Sequence, residues 1–252
     1  MEAFLRPLKE LSEYDTLVRQ TGKPGLVSIT GCIDAQKPHL MYALGQNRKN
    51  RLIVTFQEQR AKELYEDYRF FDPQAVYYPA KDVLFYQSDI RGNLLTAERI
   101  QALRAIRERE NVTLITTFDA LMNTMVPPER LWRSVLHISP GDTLELESLT
   151  AELVRMGYER EYQVEQIGQF AIRGGILDIF PLTEENPVRI ELWGDEVDML
   201  RSFDVESQKS IENLEELVIY PACELVLSEE EKVAGIGRFL AQADKFSGEL
   251  RK

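Results

Sequence analysis

The sequence has 252 residues, 44% of them hydrophobic and 29% charged, with a formal charge of −12. This composition excludes a disordered chain and fits one large or two modest packed domains. It also excludes a membrane helix and an N-terminal signal peptide, and two separated cysteines with two histidines (Cys32, Cys223, His39, His137) leave neither a disulfide framework nor a zinc spacing, so no metal is expected and a reducing cytoplasm is the default compartment.

In chain order, residues 25–30 (GLVSIT) form a short apolar run that predicts a buried strand. A helix is predicted from Pro38, because proline suits a first helical turn. Residues 51–56 (RLIVTF) read as the next strand. Residues 58–70 read as a helix, with Ala61, Leu64, Tyr65 and Tyr68 at three- and four-residue spacing. Residues 75–79 (AVYYP) are a short strand. Residues 94–108 form an amphipathic helix with Leu95, Ile100, Leu103 and Ile106 as core candidates, and 112–117 (VTLITT) are another buried strand. Strands alternating with helices imply a parallel sheet with right-handed crossovers.

Pro127-Pro128 punctuates the chain, and its character then changes. Residues 149–156 read as a short helix ended by Gly157, the residue best suited to a left-handed cap. The runs EREYQV, QFAIRG, GILDIFP, PVRIELWG and EVDMLRSFDV follow, with LTEEN as a polar turn between the third and fourth. They predict a small α+β domain with an antiparallel sheet. Residues 218–220 are a last short strand. A terminal helix starts after Ser228 as N-cap, with Glu229 to Glu231 in its first turn. The predicted fold class is α/β, a parallel-sheet domain together with a smaller α+β domain that contains an antiparallel sheet.

Charge follows the same division. Residues 1–128 carry 17 Lys/Arg and 16 Asp/Glu, 129–220 carry 8 and 20, and 221–252 carry 5 and 6. The acidity is confined to the middle block. Affinity for DNA rests on Lys and Arg neutralising phosphates, so this block is a poor DNA binder and a better protein binder.

The turn after the first apolar run, Thr30 to Pro38, lies where a phosphate-binding loop would lie. The working pattern is G-x-x-x-x-G-K-[ST]. Gly31 and Lys37 match it. Gln36 replaces the second glycine, which lets backbone approach phosphate, and Pro38 replaces the hydroxyl that holds magnesium. Asp34 adds a negative charge where phosphate would lie. The expectation is a connecting turn that binds no nucleotide. Patterns for other catalytic chemistries (G-x-S-x-G, H-E-x-x-H, C-x-x-C) do not occur, and no catalytic residue is assigned. Glu184-Glu185 and Glu229 to Glu231 read as a solvated turn and a helix start.

Among the basic residues of the middle block, Arg173 precedes Gly174-Gly175, and Arg189 lies four residues before Trp193. In a strand Arg189, Glu191 and Trp193 share one face. Arginine beside a large aromatic is the composition of a binding hot spot. The alternative is that Trp193 packs in the core and Arg189 pairs with a nearby acid.

The stretches GQFAIRGGILDIFPLTEENPVRIELWGDEVD and RSFDVESQKSIENLEE, followed by IYPA, resemble the N-terminal region of bacterial transcription-repair coupling factors. They are similar, more distantly, to the second domain of the excision-repair protein UvrB. The patterns R-G-G/A-x-L-D-[IL]-[FY]-P and F-D-x-x-[ST]-Q carry the resemblance, which extends back through the first block. It implies a domain 1a at residues 1–128, of helicase-like type with a degenerate P-loop, an inserted UvrA-binding domain 2 at 129–220, and the start of a domain 1b at 221–252, within a longer protein. It also implies that Arg173, Arg189 and Trp193 contact UvrA, Trp193 standing where relatives commonly have phenylalanine. A working UvrB has an intact phosphate loop and a long tyrosine-rich hairpin. Here Tyr77, Tyr78, Phe85 and Tyr86 are present, but the stretch before the helix near Leu94 is too short for that hairpin.

The resemblance therefore implies a non-catalytic adaptor that recruits UvrA to lesions where RNA polymerase has stalled. ATP, magnesium, DNA and RNA polymerase would engage translocase and other domains further along the protein. Two alternatives stay open at this point: a segment that binds nucleotide or damaged DNA itself, and a surface that docks on a later domain of the same protein and holds it inactive.

Overall fold

The computed structural model describes residues 2–81, 89–123, 125 and 127–250. It is a mixed α/β structure with one parallel and two antiparallel or largely antiparallel sheets. The described residues fall into two compact units, one drawn from 1–85 and 101–124, the other from 86–100 and 125–252.

The first unit holds α1 (Glu2–Lys9), α2 (Tyr14–Thr21), α3 (Lys37–Gly45), β1 (Asn50–Thr55), α4 (Glu58–Arg69) and β2 (Val76–Tyr78). Helix α5 (Asp89–Glu108) ends in this unit and leads to β3 (Val112–Thr117) and α6 (Phe118–Met122). The three strands are parallel, in the order β1-β3-β2. Of the run RLIVTF, Arg51 to Thr55 lie in β1 because Leu52, Ile53 and Val54 are β-branched or large, while exposed Phe56 falls beyond it, and β3 is buried along nearly its whole length for the same reason. Tyr42, Leu64, Tyr68, Ala75 and Ile115 form the core, at the helical spacing expected of α4. Thr117 caps α6, its hydroxyl accepting from the Ala120 N–H.

One expectation fails among these elements and a second holds only in part. Residues 25–30 are not a buried strand: they run without ladder partners, and Leu26 is 97% exposed. The run is apolar because Ile29 lines a cleft of about 580 Å³ with Leu8, Leu11 and Leu17, not because it enters the sheet. Of the α5 core candidates Ile100 and Leu103 are buried as expected, whereas Ile106 is exposed and Leu95 only half-buried, and Ala97, Ala102 and Ala105 are buried as well. Alanine carries little hydrophobic signal, yet it is what lets neighbours approach a helix closely. Tyr77 and Tyr78 are buried in β2, whereas Phe85 and Tyr86 lie outside the described residues.

The second unit contains α7 (Pro128–Arg133), β4 (Leu136–Ile138), α8 (Leu146–Arg155), β5 (Glu159–Arg160), β6 (Gln169–Arg173), β7 (Ile176–Ile179), β8 (Val188–Trp193), β9 (Glu196–Phe203), β10 (Ser210–Leu214), β11 (Leu217–Ile219) and α9 (Glu229–Leu250). Strands β10-β9-β8-β7-β6-β5 form one sheet, antiparallel except between β5 and β6, and β4 pairs with β11. One face of the large sheet packs Phe170, Leu177, Ile179, Val188, Ile190, Val197 and Leu200 against Leu149, Leu153 and Met156 of α8 and its C-cap. Strands β4 and β10 escape sequence reading because LHI is short and SIENL has a single apolar residue at each side of its polar centre.

Helix α8 ends as glycine at position 157 demands. Gly157 has φ +92°, its N–H donates to Val154 O, and the Tyr158 N–H donates to Leu153 O. Helix α9 begins with a reciprocal cap: the Glu231 N–H donates to Ser228 Oγ at 3.1 Å, and the Ser228 N–H to the Glu231 carboxylate at 3.0 Å. Among the described residues no helix is long and apolar enough to cross a membrane.

Candidate protein-docking site

The face of the large sheet opposite its core carries the charged residues. In β8 the side chains alternate, with Val188, Ile190 and Leu192 inward and Arg189, Glu191 and Trp193 outward. Two tight turns present the ends of this face. Gly174 (φ +62°) with Gly175 joins β6 to β7, and Gly194 (φ +66°) opens the turn from β8 to β9. Gly175 is required by close approach as well: a Cβ there would lie 3.0 Å from Leu192 O.

Asp178 sits at the middle of this face and is 1% exposed. Register places it opposite Ala171 on one side and Arg189 on the other. Arg189 donates from Nε to Oδ1 at 2.7 Å and from Nη2 to Oδ2 at 2.9 Å, and Arg173 donates from Nη2 to Oδ2 at 2.5 Å. The hydrogen bonds and charge of Asp178 hold the Arg189 guanidinium above its ordinary pKa, against the opposing effect of burial. The Arg173 side chain is 41% exposed and that of Arg189 18%. Next along the face, Arg201 pairs with Glu191.

The loop between β9 and β10 supports Arg189 from a second direction. The guanidinium carbon lies 4.7 Å from the ring centroid of buried Phe203. Asp204 accepts from the Ser207 N–H at 2.8 Å and hydroxyl at 2.6 Å, which closes a turn. These hydrogen bonds hold the Asp204 carboxyl below its ordinary range. The turn delivers Gln208, at φ +57°, whose Oε1 lies 3.4 Å from Arg189 Nη2. Gln208 is fixed in turn by donating from Nε2 to Val205 O. The pattern F-D-x-x-S-Q is thus the scaffold beneath an arginine.

Of the three residues singled out on the sequence, the structure brings Arg173 and Arg189 together on one carboxylate. Trp193 is 85% exposed at the outer end of β8 rather than packed in the core. Sequence reading missed Asp178, Phe203 and Gln208. The signal was present in the L-D-I-F-P and F-D-x-x-S-Q patterns, but only the fold shows that both address Arg189.

In the first unit the turn before α3 has Gly31 at φ +82°, a short 3-10 turn from Asp34 to Gln36, and buried Pro38 at the helix start. Lys37 Nζ lies 2.5 Å from Asp34 Oδ1, and Arg60 is 3.7 Å from the same oxygen. The Lys37 hydrogen bond, then its charge and that of Arg60, hold the Asp34 carboxyl below its ordinary range.

Residues 136–225, which carry the whole of the Arg173–Asp178–Arg189 cluster and its supporting loop, match the family described as the UvrB interaction domain. The chain is 32% identical over 228 residues to the transcription-repair-coupling factor of Staphylococcus aureus strain Mu50, an alignment covering 88% of this chain and 19% of that protein. It is 35% identical over 190 residues to the transcription-repair-coupling factor of Bacillus subtilis strain 168, covering 74% of this chain and 16% of the relative. The chain thus spans about a fifth of the length of these relatives. Residues 136–225 are thus similar to the UvrB interaction domain, within a chain that is similar over most of its length to the transcription-repair-coupling factors.

Proposed function

We propose that this chain is a non-catalytic adaptor module of transcription-coupled repair, which recruits UvrA through Arg173, Arg189 and Trp193. The observation that carries this reading is an exposed tryptophan on the same sheet face as two ordered arginines, inside a segment that matches the UvrB interaction domain. Arg and Trp are the side chains that dominate interface energetics. The surrounding block is strongly acidic, so a basic spot within it selects one partner orientation and disfavours DNA.

The division into residues 1–128, 129–220 and 221–252 belongs to the same reading. So does a scaffold role for the first of these, built on a phosphate loop that binds neither ATP nor magnesium. Asp34 supports this, because it already supplies Lys37 with a negative partner. RNA polymerase, DNA and ATP would be engaged by domains beyond this segment, in the bacterial cytoplasm.

The test is calorimetric titration of UvrA with this chain and with an Arg173→Ala, Arg189→Ala variant of unchanged circular dichroism. Binding by the parent and its loss in the variant is the expected result, since one hot-spot arginine contributes about 2 kcal/mol or more. A folded parent that does not bind UvrA removes the adaptor reading.

A further inference from the structure

We infer that Asp178 is the positioning residue of the docking surface, with Gln208 as a second hold on Arg189, and that the partner group received there is a carboxylate; this rests on the docking reading above. An unpaired carboxylate at 1% exposure would be strongly unfavourable. Asp178 is therefore tied to its arginines, and its two oxygens fix where both guanidiniums point. Phe203 and Gln208 restrict Arg189 further.

The contacts already made define what is left to offer. Nη1 of Arg189 and both Nε and Nη1 of Arg173 make no hydrogen bond among the described residues. Planar guanidinium edges match a carboxylate in geometry as well as charge. Two arginines and one aspartate leave a single positive charge, so one acidic group completes the cluster. Acidic groups are repelled elsewhere on this block, whose charge is strongly negative. The arrangement accepts a carboxylate at these two arginines, which is how a mixed-charge surface sets register. Arginines held in advance also lose less conformational freedom when the partner arrives.

Affinity for UvrA is measured for the parent, Asp178→Asn, Gln208→Ala, the Arg173→Ala, Arg189→Ala double variant, and that double variant combined with Asp178→Asn. Asp178→Asn is expected to weaken binding about tenfold and Gln208→Ala about threefold, both with circular dichroism unchanged. The triple variant is expected to bind no better than the double but to unfold at a higher urea midpoint, because without its arginines the Asp178 carboxylate is buried and unpaired. Carboxyl footprinting of UvrA should show at least one Asp or Glu protected by the parent and not by the double variant.

Each contrary result bears on a separate part. Parent-like or tighter binding by Asp178→Asn overturns the positioning role while docking stands. If Asp178→Asn does not fold, unchanged binding by Gln208→Ala overturns it instead. A triple variant that unfolds at a lower midpoint than the double shows that Asp178 supports the sheet independently of the arginines and overturns the positioning role. Absence of any protected UvrA carboxylate removes the assigned ligand chemistry. Failure of the parent to bind removes the docking reading itself, and this inference with it.

Discussion

Gly157 and Cys223 are in such close contact that a Cβ on the glycine would lie 3.0 Å from the cysteine Cβ and 3.1 Å from its Sγ. The same glycine ends α8 at φ +92°, and the adjacent Ala222 N–H donates to Met156 O at 2.8 Å. Helix termination and the seating of the segment after β11 therefore depend on one absent methyl group. Burial also raises the Cys223 thiol pKa, so this cysteine is held as a packed thiol rather than a thiolate. Gly157→Ala is expected to destabilise the unit by about 1–3 kcal/mol, combining the left-handed conformation with the steric contact. Urea unfolding would show this as a lower midpoint at unchanged slope, and an unchanged midpoint would contradict it.

Trp193 separates binding from stability. It is 85% exposed, so Trp193→Ala should change unfolding free energy by no more than about 0.5 kcal/mol. A hot-spot aromatic should nevertheless contribute about 2 kcal/mol to UvrA binding, a loss of roughly thirtyfold. Trp193→Phe should retain much of that affinity. A midpoint shift as large as the affinity loss would assign Trp193 to the fold instead of the interface.

Hydrophobic patterning made β1, β3, α4 and most of the large sheet legible in the sequence, because β1 and β3 are short runs rich in β-branched residues and α4 and the large sheet each have an apolar face of regular period. The same reasoning misplaced residues 25–30, since apolarity reports removal from water and not ladder pairing. It also overrated Ile106 and overlooked the alanines of α5, which pack by being small. At the candidate site, residue type and strand alternation singled out Arg173, Arg189 and Trp193, while their proposed role came from the resemblance. Asp178 was not singled out, because nothing in a local pattern distinguishes a carboxylate facing two arginines from a solvated one. Its role arises from the register of β6, β7 and β8, and that of Gln208 from a turn closed by Asp204.

The pairing of Lys37 with Asp34 predicts the response to nucleotide. A triphosphate entering this turn would displace Asp34 while leaving its like charge close by, and Pro38 has no hydroxyl to offer magnesium. Titration of the chain with ATP and magnesium should therefore give heats of dilution alone, and Lys37→Ala should change nothing. Saturable, magnesium-dependent binding would restore a nucleotide-binding role to the first unit.

Asp204 links pH to the support of Arg189. Its folded-state pKa is depressed by the Ser207 hydroxyl, then by backbone N–H groups. A depressed carboxylate contributes stability that is fully present above the unfolded value, 3.8, and lost as pH falls through the lower folded value. The turn that carries Gln208 should therefore persist at neutral and mildly acidic pH and loosen only in strong acid. Carbon-detected NMR titration should place the Asp204 midpoint below the ordinary aspartate range, and Ser207→Ala should move it upward by removing the largest cause. At neutral pH the same substitution should weaken UvrA binding less than loss of Arg189 does, since Asp178 still holds the guanidinium. An Asp204 midpoint at or above 3.8 would mean that the turn does not favour the ionised carboxylate, and that Gln208 is positioned by its bond to Val205 alone.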